Sequence, residues 1–101
     1  MSERVLTIAV KKPMKMIERV QVKDSLKNFQ EIVGGYIESL RISPDIYLFC
    51  NEEGKIQDLQ PNFMLGNDVI CGTVFFTRTN QDCEMDSLTD ADFELLRYYF
   101  G

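Results

Sequence analysis

The chain has 101 residues, 45% hydrophobic and 27% charged, the composition of a single globular domain spanning residues 1–101 rather than of a disordered segment. Eleven basic residues against sixteen acidic ones leave a net charge of −5, which works against nonspecific nucleic-acid binding, a function that needs clustered Lys and Arg to displace counterions from phosphates. Histidine is absent, which excludes histidine-based nucleophile systems and histidine metal ligands, so any catalysis would rest on carboxylates, Lys, Tyr or Cys.

In chain order, Val5–Val10 is β-branched and reads as a strand that Pro13 interrupts, because proline cannot donate to a ladder. Met16–Val22 resumes with mixed polarity, so the two segments form a first hairpin around Lys11–Lys15, its second strand the more exposed. Lys11, Lys12 and Lys15 are expected at a solvated hairpin tip, with a phosphate-facing loop as the lesser reading. Asp24 stands at an N-cap position, and Leu26, Phe29, Ile32 and Val33 then follow the spacing of one helix face, stopped by Gly34-Gly35.

Tyr36–Ile42 alternates, with Tyr36, Glu38, Leu40 and Ile42 on one side. Ser43-Pro44-Asp45 is a turn, and Ile46–Cys50 is the continuous apolar run of a central strand, closed by the polar turn Asn51-Glu52-Glu53-Gly54. The turn is too short for a crossover, so the pairing is antiparallel. Lys55–Asn67 reads as a loop with one short helical turn over a core edge. Val69–Thr77 reads as a strand in which Gly72 marks a bulge or a close backbone approach.

Thr79–Ser87 is polar and expected as a surface loop. The last helix has a capping box, Thr89 with Asp92, and a hydrophobic staple, Leu88 with Phe93. The order β-β-α-β-β-β-α implies an α+β domain, an antiparallel sheet of about five strands with two helices packed on one face.

Three cysteines, Cys50, Cys71 and Cys83, form no CxxC pair, and the first two sit in apolar runs as small hydrophobes. Their odd number, with no signal-peptide pattern, points to a reducing compartment and a cytoplasmic protein. No apolar run approaches the roughly 18 residues of a membrane span, so no membrane association is expected. No phosphate-loop or metal-ligand pattern is present, and neither a cofactor nor a metal is expected.

The stretches LKNFQEIVGGYIE (Leu26–Glu38), FCNEEGK (Phe49–Lys55), Pro61-Asn62, DVICGT (Asp68–Thr73) and SLTDADFELL (Ser87–Leu96) are specific in combination. Together they resemble the small bacterial and phage family known as domain of unknown function 3846, from about residue 4 to residue 100. The resemblance implies a home on mobile DNA, in Firmicutes and their phages and plasmids, and supplies no mechanism.

The candidate ligand-binding residues are Gly34, Gly35, Glu38, Asn51 and Asn62. The glycine pair could offer backbone N–H groups to an anion, but it equally makes a helix C-cap, where the helix dipole opposes negative charge. Asn51, Glu52 and Glu53 could act as acid and base or, with Asp68, hold a divalent cation; they also make an ordinary turn, with the adjacent glutamates diverging on extended backbone. Glu38, on the apolar side of its strand, is expected to be partly buried and paired with Arg19, Lys23 or Arg41. Tyr98-Tyr99-Phe100 holds more rings than one buried stripe accepts, so Tyr98 and Tyr99, with the acidic Glu52 and Glu53, form the candidate surface for a protein partner or a second copy.

The expectation that follows is a small acidic, non-enzymatic binding domain of a phage or other mobile element that blocks or sequesters a host factor, its acidity favouring a basic target. The alternative is a small-molecule protein that captures a nucleotide-like signal through the VGGYIE turn, Asn51 and Asn62, with aromatic rings stacking on the base. An enzyme ranks third, since no catalytic residue can be named.

Overall fold

Val74–Thr79 (VFFTRT) carries large apolar side chains at consecutive positions, so a strand built from it is apolar on both faces and must be covered on both. The computed structural model describes residues 4–101 and places this strand at the middle of the sheet. The elements are β1 (Val5–Lys11), β2 (Glu18–Lys23), α1 (Leu26–Val33), β3 (Ile37–Arg41), β4 (Ile46–Asn51), β5 (Pro61–Leu65), β6 (Asp68–Cys71), β7 (Val74–Thr79), β8 (Met85–Asp86) and α2 (Asp90–Phe100). The main sheet runs β2-β1-β7-β4-β3, with β8 also paired to β7, and β5 and β6 form a separate two-stranded sheet. Every pairing is antiparallel.

The α+β class and the antiparallel sheet agree with the sequence reading, with six strands in the main sheet instead of about five. The helices, however, lie on opposite faces and not on one. Phe75 joins Leu6, Ile8, Val10 and Phe49 against Phe29 and Val33 of α1. Val74 and Phe76 join Ala9, Leu48 and Cys50 against Phe93 and Leu96 of α2, with Phe63 and Leu65 of the small sheet packed alongside. The physical reason is the alternation just described: β4 and β7 send large side chains both ways, and one layer of helices would leave half of them in water.

Several local expectations are also corrected. Ser25, not Asp24, caps α1, its hydroxyl accepting from Asn28 N–H at 3.1 Å. Asp24 is still engaged in the first hairpin, where its N–H donates to Arg4 O at 2.8 Å. The strand expected over Val69–Thr77 is two strands in two different sheets. Gly72 between them has φ +86°, and a Cβ there would stand 2.7 Å from Leu59 Cδ1, so the chain turns sharply where only glycine fits. The turn frees β6 to pair with β5 in a stretch expected to be loop. Lys11 is not at a solvated tip: it is 6% exposed, on the α2 side of β1, and its ammonium donates to Lys12 O and Asn62 Oδ1 at 3.1 and 3.2 Å.

The N-terminus of α2 is fastened by several contacts at once. Thr89 and Asp92 form the expected capping box, and Leu88 and Phe93 are buried together. Asp92 has a second partner that the capping pattern does not announce: Arg78 Nε and Nη2 donate to its two carboxylate oxygens, both at 2.9 Å. Burial pushes the Asp92 carboxyl up, but the bonds from Arg78 and Thr89 outweigh it and hold the group below its ordinary 3.8. The far end of α2 is tied by Ile17 N–H to Gly101 O at 3.0 Å, and Arg19 of β2 lies 4.1 Å over the Phe93 ring.

Two stability outcomes are expected. Asp92→Asn replaces a forked, charge-assisted pair by a neutral one and should cost about 2–3 kcal/mol in denaturant melts. Because the Asp92 carboxyl lies below its unfolded value, its stabilisation is present above about pH 4 and lost as pH falls through the native value, so the variant should also have the flatter acid limb. Thr77, fully buried on the Phe75 side of β7, has a hydroxyl without a hydrogen-bond partner among the described residues. Thr77→Val should therefore raise stability, by about 1 kcal/mol; a loss of stability would show that the hydroxyl is satisfied after all.

Candidate functional site

β3 is an edge strand whose residues alternate between the two layers, and its pairing with β4 sets Glu38 opposite Cys50. Both therefore project to the α2 side of the sheet, near the end of β4 where the chain turns at Asn51–Gly54. There the β5–β6 sheet closes over the edge and leaves a cleft of about 260 Å³. Glu38 forms one wall, Glu52, Lys55 and Ile56 a second, and Asp68–Cys71 of β6 a third, with buried Cys50 and Ile70 inside.

The electrostatics of this cleft are acidic. Three carboxylates, Glu38, Glu52 and Asp68, line it against one ammonium, Lys55, which is ion-paired with Asp68. The hydrogen bond with Asp68 raises the Lys55 ammonium and holds the Asp68 carboxyl below its ordinary range, so both are charged at neutral pH. Burial, with the charges of Glu38 and Asp68 behind it, pushes the Cys50 thiol up to about 11. Cys50 is thus a neutral thiol near pH 7, a wall of the cleft and not a nucleophile. Among the described residues no three His, Cys, Asp or Glu side chains are grouped closely enough to hold a metal ion. The chemistry on offer is attraction of a cationic group.

The residues singled out in the sequence are distributed unevenly around this cleft. Glu38, Asn51 and Glu52 line it. Glu38 is exposed, not partly buried as expected, since among the described residues no strand pairs with the outer edge of β3. The basic residues named as its partners are engaged elsewhere in two cases: Arg19 donates to Asp90, and Arg41 donates to Pro44 O. Asn51 is buried and its amide is fully occupied, donating to Val33 O and Gln57 Oε1 and accepting from Glu53 N–H. It fastens the end of α1 to the end of β4.

Gly34 and Gly35 both donate to Gln30 O, with Gly34 in the left-handed C-cap conformation at φ 79°, so neither N–H is left for an anion. Gly35 has a packing reason as well, because a Cβ there would stand 2.8 Å from Asn51 Nδ2. Asn62 lies away from the cleft, donating to Lys11 O and Gly72 O while accepting from the Lys11 ammonium. Of the polar contacts proposed for a nucleotide-like ligand, the two glycine N–H groups are thus engaged in a helix cap and the two asparagines in joining layers. Among the described residues no aromatic ring lines the cleft to stack on a base.

Glu53 is exposed on the same turn, outside the lining, whereas Tyr98 and Tyr99 stand on α2, with Tyr99 on a separate apolar groove. The candidate partner surface therefore divides in two. The sequence reading missed Lys55 and the cysteine walls of the cleft. Nothing in the irregular Lys55–Asn67 stretch signals that its first residue pairs with Asp68, because that contact depends on the β5–β6 pairing.

The thiol environments give a direct check. Cys83 is exposed, Cys71 intermediate and Cys50 buried. Alkylation of the folded protein at neutral pH, followed by mass spectrometry of peptides, should modify Cys83 first and leave Cys50 intact until the protein unfolds. Labelling of Cys50 as fast as Cys83 would contradict its assignment as a buried neutral thiol.

Among the described residues no helix is long and apolar enough to cross a membrane. No curated protein and no solved structure matches the chain. A family model does, covering residues 5–101 and therefore every strand and helix described above. The chain belongs to the family described as domain of unknown function (DUF3846).

Proposed function

We propose that this chain is a small acidic, non-enzymatic binding domain that engages a basic protein partner, with the Glu38–Glu52–Asp68 cleft receiving a cationic side chain. The observation that carries the reading is the cleft itself: three carboxylates against a single lysine, in about 260 Å³. That volume is below the roughly 300–1,000 Å³ of drug-sized ligand sites and suits one side chain better than a nucleotide. Arginine is the favoured guest, because its planar guanidinium can donate to two carboxylates at once where a lysine ammonium offers only a point charge. The net charge of −5 adds long-range attraction for a basic surface and accelerates encounter more than it tightens the complex.

The setting we propose is a phage or other mobile element, as the family resemblance implies. A nucleic-acid-binding host protein presents the kind of basic surface that such a domain could sequester.

Titration of an arginine-rich peptide into isotopically labelled protein tests the reading. Amide shifts should concentrate at Glu38, Glu52 and Asp68 and diminish with added salt. Charge reversal, Glu38→Lys with Glu52→Lys, should weaken the interaction by about tenfold or more. Equal binding by the reversed variant, or by an acidic peptide of the same length, would sink the proposal.

A further inference from the structure

We propose that the apolar groove beside α2 is the interface of a two-fold homodimer, covered by the same patch of a second copy of this chain. The inference is independent of the acidic cleft and begins with a surplus in α2. Phe93, Leu96 and Phe100 supply the face that packs on the sheet. Ala91, Leu95, Tyr98 and Tyr99 form a second apolar stripe at i, i+4, i+7 and i+8, and all four are exposed, Tyr98 to 82% and Tyr99 to 68%. Beside this stripe lies a groove of about 520 Å³, walled by Leu95 and Tyr99 on one side and Met64 and Leu65 on the other, with Ile42 and Ile46 also lining it.

Area and charge together select the occupant. Two tyrosines of about 200 Å² each, mostly bare, with exposed Leu95 and Met64, make a patch of roughly 500 Å², near the upper end of what a monomer leaves uncovered. A stable dimer buries about 800 Å² per copy, of which about 65% is apolar, so the patch supplies the apolar part of one such face. Among the described residues no charged side chain lines the groove, although 27% of the chain is charged. A two-fold interface sets each patch against its own copy, so a charge near the axis would meet its like; a neutral lining avoids that repulsion and offers nothing to select a basic or an acidic partner.

The shape is self-complementary in the same sense. Tyr98 lies outside the lining but meets the ring of Tyr99, which is part of it, edge-on at 5.0 Å, so a two-fold axis lets each copy's exposed Tyr98 enter the other's groove. The acidic cleft stays open in this arrangement. It lies at the Glu38/Cys50 end of the β3–β4 hairpin, the groove at the Ile42/Ile46 end, four residues or about 13 Å away along the strand.

Sedimentation velocity of the full chain, over a concentration series at low and high salt, tests the proposal. The expected result is a species of twice the 11.7 kDa chain mass that grows with concentration. Salt should favour it, because each copy carries a net −5 that added ions screen, whereas salt weakens binding at the cleft. Tyr98→Ser and Leu95→Ser should each return the protein to one chain mass with an unchanged circular dichroism spectrum. If Leu95→Ser alters the spectrum, Met64→Ser on the opposite wall takes its place. The cleft variant with Glu38→Lys and Glu52→Lys should dimerise like the wild type, which separates failure here from failure of the proposed function. A single-chain mass at every concentration and salt, a dimer that survives the groove substitutions, or a different protein occupying the groove of a monomer would each overturn the proposal.

Discussion

The central strand β7 is the constraint on which the molecule depends. Val74, Phe75, Phe76 and Thr77 are fully buried, and the strand pairs with β1 and β8 along one edge and β4 along the other. Phe75 and Phe76 project to opposite faces, so each of the two hydrophobic layers is built around one of these adjacent rings. In the α1 layer Phe75 stacks with Phe29 and Phe49 at 5.1 and 4.9 Å between centroids. In the other, Phe76 meets Phe100 of α2 at 5.1 Å and Phe63 of β5 at 6.5 Å. Antiparallel sheets commonly leave one face to water; this one does not, because its middle strands have no polar side to offer.

Covering the second face is what creates the two recesses proposed for recognition. One eight-residue helix suffices for the α1 layer, but the opposite layer is shared between α2 and the β5–β6 sheet. Two covering units laid on one sheet leave recesses at their margins. The groove with Tyr99 lies where α2 meets the small sheet, and the acidic cleft lies where β6 meets the edge of β3 and β4. One recess is apolar because both of its walls come from elements packed on the core. The other is acidic because its carboxylates come from an edge strand, a turn and the exposed first residue of β6, where charged side chains reach water without breaking a core contact.

What the sequence disclosed follows the range of the interactions involved. Helix α2 was readable to its cap, since Thr89, Asp92, Leu88 and Phe93 are within five residues of one another. The strands β1, β4 and β7 were readable from continuous apolar composition. Helix placement was not, because it depends on strand order: only with β7 and β4 central does the doubly apolar pattern require cover on both sides. The split at Gly72 was half visible, as a close approach, while the second sheet it permits rests on pairing between Pro61–Leu65 and Asp68–Cys71, whose side chains carry little alternation. Lys11 misled for a similar reason. Three lysines around a proline describe a surface turn, yet Asn62, 51 residues away, offers Lys11 a neutral acceptor inside.

Asn51 and Asn62 show why polar residues at strand ends are poor guides to ligands in a domain of this size. Each sits where one layer must be joined to the next: Asn62 uses both its amide and its carbonyl to do so, while Asn51 uses its amide and spends its carbonyl on Glu53 N–H in its own turn. A buried amide left unpaired costs more than most ligand contacts return, so folding claims such residues first. The groups left for recognition are those that no layer needs. At the cleft these are the carboxylates of Glu38 and Glu52, exposed at an edge and a turn. The Lys55–Asp68 pair beside them differs from the Arg78–Asp92 fork in kind: more than half of each side chain is in water, and Lys55 donates through a single ammonium. Exposed pairs of that sort hold weakly against solvent. In the proposed complex Lys55 therefore marks where a cation sits, in a pair loose enough for a guanidinium to displace it.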